Sequence, residues 1–317
     1  MSAKQQLDVG NALSTPPAIF DYSNASYLKQ AITKWPSCAP PTGGSSSFVA
    51  VNLEAKAISR NPDAGTVTPL TDISQGSTNM CSAFAFAQGY TVKFALQTPN
   101  GIIPQLSPVY AYYLQRVEEC STTGVCPCPT CPTDTCASKC DPPCVDCGSY
   151  LLSAGSIYGT GVCTSTDWPL STPMNANPTP AARLKSKNQR VSSLECVPVD
   201  SSLANSLMVH LSKEHPIIVF LNITDANLKW MQALVDSSTS DTTPAISSPS
   251  VQFPYVAGDA VTSGHVVCVV GYDAASDAFI IRNSYGFKWG AQGRFTILRK
   301  HATSALIHEA SAIVSVL

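Results

Sequence analysis

The chain reads as an α+β protein of two lobes, on three observations. Helical patterns dominate its first half. Short β-branched or aromatic runs bounded by turns dominate its second. And only 13% of the 317 residues are charged against 44% hydrophobic, roughly half the usual charged share, which suits a sizeable core.

Each element follows from local chemistry. "MCSAFAFAQGYTVKFAL", 80–96, is apolar on most sides and predicts a helix buried nearly all round, stopped by "TPNG", 98–101. Ser107-Pro108 supplies an N-cap and a first-turn proline for a second helix through "VYAYYLQRVEE". A third covers 149–159. A fourth begins near Ser201, with Leu203, Leu207 and Leu211 four apart on one face. Strands are expected at Pro216 to Leu221, His265 to Tyr272, Ala278 to Asn283 and Arg294 to Leu298. Residues 1–62, with the break "PSCAPPTGGSSS", read as an N-terminal extension or short pro-segment. The main domain is then 63–317, its helical lobe about 63–199 and its β lobe about 200–317. Two segments look inserted: the cysteine-rich 120–147 and the Ser/Thr/Pro-rich loop 236–250.

Composition excludes several classes. Nineteen Lys+Arg against 21 Asp+Glu give a net charge of −2, with no basic stripe to follow a phosphate backbone, so nucleic acid is not an expected partner. No apolar run approaches the roughly 20 residues that span a bilayer, and no membrane partner is expected. The N-terminus lacks the apolar core of a secretory signal. That predicts a cytoplasmic protein, or one packaged in a particle, whereas 13 cysteines leave an oxidising compartment open.

The chemistry centres on "DISQGSTNMCSAFAF", where a polar loop becomes a helix at Cys81. Alone, such a cysteine is a small buried hydrophobe. In the first helical turn, however, the positive end of the macrodipole favours its thiolate, which is the nucleophilic form. Gln75, six residues upstream, can aim an amide N–H at an oxygen held over the helix start. With the Cys81 backbone N–H that makes two donors for an oxyanion.

Far downstream come "SGHVVCVVGYD" and "RNSYGFKWGAQGRF". Together these blocks resemble the papain and cathepsin family of cysteine proteases. In that family a Gln lies six residues before the nucleophile, as Gln75 precedes Cys81. The family histidine opens a strand ending Val-Gly-Tyr, as His265 does at Val270–Tyr272. The family asparagine heads an Asn-Ser-Trp-Gly block, matched by Asn283 to Gly293. The likeness runs over about residues 63–300, with gaps at the insertions. His265 follows Cys81 by 184 residues, against a usual spacing of about 130–150; both insertions fall in that interval and supply most of the excess.

The resemblance implies a two-lobed papain-like fold, with a central helix starting at the nucleophile and an antiparallel, β-barrel-like right lobe. It implies a cysteine endopeptidase acting on polypeptides through a thioester at Cys81. His265 would serve as proton carrier, Asn283 as its orienting partner and Gln75 as oxyanion donor. Gly148, Gly264, Trp289 and Tyr285 would lie against substrate, and no cofactor or catalytic metal is called for. A catalytically silent scaffold, and a transpeptidase or exopeptidase variant, stand as alternatives. Intramolecular inhibition by residues 1–62, as in a zymogen, is a further expectation.

Four positions depart from the family pattern. Tyr285 replaces its first tryptophan, Ser82 an aromatic residue after the nucleophile, Thr78 a cysteine and Cys147 a glycine before Gly148. The eight cysteines of 120–147 include Cys128-x₂-Cys131 and Cys144-x₂-Cys147. That spacing suits a zinc ribbon, but four further thiols favour disulfides, and reduced thiols are a third state.

Overall fold

A computed structural model describes residues 49–62, 74–76, 78–123, 157–173, 176–234 and 251–317. Gly148, the cysteine-rich segment 124–147 and the loop 236–250 lie outside the described residues.

The helices that the sequence marks most strongly form where expected. The central helix, here α2 (Cys81–Gln97), begins at the cysteine and is buried on nearly every side. It ends as Thr98 N–H closes back on the Phe94 carbonyl. Helix α3 (Pro108–Thr123) starts with the Ser107 hydroxyl capping Tyr110 N–H at 3.1 Å. Helix α5 (Leu203–Ser212) buries Leu203, Leu207 and Leu211. Three shorter helices were not anticipated: α1 (Leu53–Arg60), α4 (Pro180–Ser186) and α6 (Asp225–Ala233), capped by Asn52, Thr179 and Thr224 respectively.

Seven strands form one antiparallel sheet in the order β2-β7-β3-β4-β5-β6, with β1 pairing β4 off that path. They are β1 (Val51–Asn52), β2 (Val191–Cys196), β3 (Ile217–Thr224), β4 (Val261–Asp273), β5 (Ala278–Arg282), β6 (Arg294–Leu298) and β7 (Ile307–Val316). Strands β3 to β6 are the four apolar runs read from sequence. The sheet is open, with β2 and β6 at its ends, so the barrel-like closure expected of this lobe is not reached. Strands β1 and β2 also bring residues from before position 200 into it. No helix among the described residues is long and apolar enough to cross a membrane.

The segment Val51–Arg60 is built into the body. Val51 pairs with Tyr272 and Asn52 with Gly271. Only glycine fits at 271, because a Cβ there would lie 2.4 Å from the Val51 carbonyl oxygen. Leu53 and Ala57 are fully buried. So is Glu54, whose Oε1 accepts from Arg282 Nε and whose Oε2 accepts from Arg294 Nε, both at 2.7 Å. Burial alone would raise this carboxyl, but the two guanidinium groups prevail and hold it below the usual range. Burial in turn pulls Arg282 down to about 10, against the Glu54 charge.

Removing one partner of such a cluster strands buried charge, which costs roughly 3–5 kcal/mol. Glu54→Ala should therefore lose about that much unfolding free energy in urea titrations. Lys56→Ala, whose half-exposed ammonium lies 3.4 Å from Glu214, should lose at most about 1 kcal/mol.

Candidate active site

Cys81 is the first residue of α2, and the helix start is left electrostatically open. Its N-cap, Met80, makes no side-chain cap bond, and no acidic residue occupies the first turn. The positive end of the helix is thus not neutralised from within, as it is at α6 by Thr224 and Asp225. Among the described residues, three cysteines are free thiols: Cys81, partly exposed, and Cys163 and Cys268, both buried. Burial pushes the Cys163 thiol up to about 12 and Cys268 higher still. Those two are inert core residues.

His265 lies on β4 opposite Leu221 of β3, and Asn283 follows the end of β5. The sheet register brings them together: His265 Nε2 lies 2.7 Å from Asn283 Oδ1. The same Oδ1 accepts the Ser284 N–H at 2.8 Å, which fixes the amide orientation. A carbonyl oxygen carries no proton, so Nε2 is the protonated nitrogen of the neutral ring, and Nδ1 keeps its lone pair. Burial drives His265 down to about 4, the Asn283 hydrogen bond acting against it. The imidazole is therefore uncharged near neutral pH.

Tyr285 covers this pair. Its ring stacks on His265 with centroids 5.2 Å apart and 28° between planes. Burial, and then the neighbouring Cys81 charge, push its hydroxyl up. The ring thus shields one face of the His265 imidazole, and Cys81 is near enough for its charge to be felt at the Tyr285 hydroxyl. Trp289 stands edge-on to Tyr285 at 5.7 Å. It is 2% exposed, its Nε1 donating to the Met231 carbonyl at 2.8 Å, so it backs Tyr285 from the core. Gly264 is half-buried beside His265, opposite Asn222.

Gln75 is also placed here. Its backbone N–H donates to the Ser284 carbonyl at 2.8 Å. Its Oε1 accepts from the Ser284 hydroxyl, and its Nε2 donates to the Thr78 carbonyl. A primary amide has two N–H donors, so one remains for an oxyanion. Thr78, standing where relatives carry a cysteine, also donates its hydroxyl to the Gln75 carbonyl. Sequence reasoning gave Thr78 no role; only the folded loop reveals its grip on Gln75. Gln88, two turns after Cys81, donates to the Asn283 carbonyl at 3.0 Å and locks α2 to the asparagine. Ser82 is buried, its hydroxyl 3.2 Å from Gln115 Oε1 on α3, a polar tie in place of aromatic packing.

A helix opening on a cysteine, packed against a sheet that presents a His–Asn pair, defines a papain-like protein. Solved structures agree on the fold. Xylellain, a cysteine protease from Xylella fastidiosa, superposes with a TM-score of 0.62 at 18% identity, covering 89% of this chain and 91% of that one. Digestive procathepsin L 3 of Tenebrio molitor gives 0.53 at 20% identity, over 86% and 72%. The bromelain protease of Ananas comosus gives 0.51 at 17%, over 83% and 96%. The family model described as papain family cysteine protease matches residues 135–314, and the chain belongs to that family. That match takes in His265 and Asn283; Gln75 and Cys81 precede it. An uncharacterized peptidase C1-like protein of Acanthamoeba polyphaga mimivirus is 45% identical over 38 residues, 12% of either chain.

Two measurements test the geometry. Iodoacetamide on the folded protein should alkylate Cys81 and spare Cys163 and Cys268 until the chain is unfolded, as read by peptide mapping. The second concerns the imidazole. Its folded pKa lies below the ordinary 6.5, so the unfolded chain binds more protons between the two values. Its contribution to stability is complete above about pH 6.5 and is lost as pH falls toward 4, at about 1.4 kcal/mol per unit. In a Cys81→Ser background, where no thiolate can hold the imidazolium, urea melts at pH 7 and 4.5 should show this loss. The additional change His265→Gln should remove it.

Proposed function

We propose that the protein is a cysteine endopeptidase that hydrolyses peptide bonds through a thioester at Cys81. The observation that carries this reading is the Asn283 amide oxygen, fixed by Ser284 N–H, which directs the Nδ1 lone pair of His265 away from the asparagine.

Nδ1 takes the Cys81 proton, and the thiolate forms at the uncapped start of α2. The sulfur attacks the scissile carbonyl carbon, and the resulting oxyanion receives hydrogen bonds from the Cys81 amide and from Gln75 Nε2. The C–N bond then breaks as imidazolium protonates the leaving amine. Water, deprotonated by His265, cleaves the thioester, returning the thiol and a carboxylic acid. Asn283 acts throughout by orienting the ring without adding charge. Tyr285 and Gly264 would line the substrate path, with Gly148 joining them from the segment after the cysteine-rich insertion. Polypeptide is the substrate class that the family implies.

We propose also that residues ahead of Val51 restrain the site until cleaved. The buried Glu54 and the β1–β4 pairing favour retention of Val51–Arg60 in a mature enzyme, so a maturation cut should map upstream of Val51 by N-terminal sequencing.

Digestion of a peptide library at mildly acidic pH tests the activity. Cys81→Ala should abolish turnover and His265→Ala should lower kcat/KM by about 10²–10⁴-fold. Gln75→Ala should lower kcat by about 10²–10³-fold. Epoxide labelling at Cys81 without turnover by the intact chain would instead indicate the silent scaffold. Capture of the acyl group by an added amine in preference to water would indicate the transpeptidase.

A further inference from the structure

At the end of the sheet away from the peptidase site, three ligand-type side chains converge. His210 occupies the last turn of α5, His215 follows five residues later at the entrance to β3, and Glu195 lies on β2. One ligand atom from each lies within 4.8 Å of the others. The topology accounts for the convergence. Glu195 and Ile217 pair with the same β7 residue, Ala312, from opposite sides, so the carboxylate and the start of β3 share one row of the sheet. Glu214, with φ of +59°, turns the chain back, letting His215 N–H close on the His210 carbonyl at 3.0 Å. The Arg60 guanidinium holds the Glu214 carboxylate through two bonds of 2.8 Å. This non-glycine left-handed turn is therefore fixed from outside.

We infer that Glu195, His210 and His215 form a binding site for a divalent transition-metal ion, with zinc the best fit. The magnitude that decides is the separation of the two imidazole nitrogens. His210 Nδ1 and His215 Nδ1 stand 3.4 Å apart, long for a hydrogen bond, which is usually about 2.7–3.2 Å. A tetrahedral zinc ion with Zn–N bonds of about 2.05 Å holds two nitrogens about 3.4 Å apart. Glu195 Oε2 lies 3.8 Å from His210 Nδ1. That carboxylate is half-exposed and closes the remaining few tenths of an ångström by rotating.

The end of helix α5 favours a cation, although Lys93 and Lys213 lie near His215. His210 is 1% exposed and sits at the carbonyl end of α5, where the helix dipole favours positive charge. Burial pulls both imidazoles down, His215 to about 4 with Lys93, His210 and Lys213 adding to the effect and Glu214 opposing it. Both rings are therefore neutral near pH 7, the form that ligates. Two histidines and one carboxylate leave a fourth position for water or another ligand. His215 stands six residues before Leu221, the partner of His265, which at about 3.3 Å per residue is roughly 20 Å along β3. The ion would thus staple β2, the end of α5 and the entrance to β3, apart from peptide hydrolysis.

The test is equilibrium dialysis of chelator-stripped full-length protein against buffered Zn²⁺, with metal content read by mass spectrometry. Zinc taken up by the cysteine-rich segment cancels in comparison with variants. Wild type should hold one equivalent more than His215→Gln and than Glu195→Gln, or bind it about 100-fold more tightly. Zinc should also raise the melting temperature of wild type more than that of either variant. Equal stoichiometry and affinity across the three proteins overturns the proposal, as does a wild type that binds no zinc. If His215→Gln does not fold, the half-exposed Glu195→Gln decides alone.

Discussion

The Glu54 carboxylate, clamped between Arg282 and Arg294, is the contact on which the presentation of the site depends. Arg282 is the residue before Asn283, and Arg294 pairs with it across β5 and β6. A charge buried this deeply is tolerated only with its counter-charges and hydrogen bonds in place. The cluster therefore specifies where β5 ends. Arg282 also donates to the Gln292 carbonyl at 2.7 Å, fixing the return loop that carries Tyr285 and Trp289. The N-terminal segment thereby becomes a structural part of the site, though it touches none of the reacting atoms.

From that anchor the site is assembled by polar contacts between elements distant in sequence. Asn283 is held by Gln88 from the central helix, Ser284 by Gln75 from the preceding loop, and His265 by Asn283 itself. Burial keeps the imidazole neutral, and an unneutralised helix start favours the thiolate. In the proposed reaction these two effects would divide the work of proton transfer: the base starts in its neutral form, and the acid sits where its anion is stabilised. Tyr285 stacks on the imidazole and is itself backed by Trp289.

Much of this was legible in the sequence. The apolar runs within β3, β4 and β5 are continuous because those stretches are buried on both faces, and α2 announces itself by its alanine and phenylalanine content. Cys81, Gln75, His265 and Asn283 fall in recognisable blocks. Strand β7 was not legible, since "IHEASAIVSV" buries Ser311 completely and gives no clean alternation. Strand β2 is interrupted by register shifts after Val191 and Ser193, which break the two-residue period. Helix α1 is short, and its Glu54 reads as a solvated charge. The barrel-like closure expected from family resemblance also failed, because closure depends on how the end strands meet rather than on any residue pattern.

By itself, then, the sequence determined the candidates: which residues carry the chemistry proposed for nucleophile, base and orienting amide, and which segments are apolar enough to become the central helix and the inner strands. These follow from side-chain type and local spacing. The tertiary structure alone decided that Glu54 meets arginines 228 and 240 positions away, that Thr78 grips Gln75, and that two histidines and a glutamate converge at one end of the sheet. Such contacts are set by strand register and helix packing, which bring together groups whose separation along the chain carries no trace of their meeting.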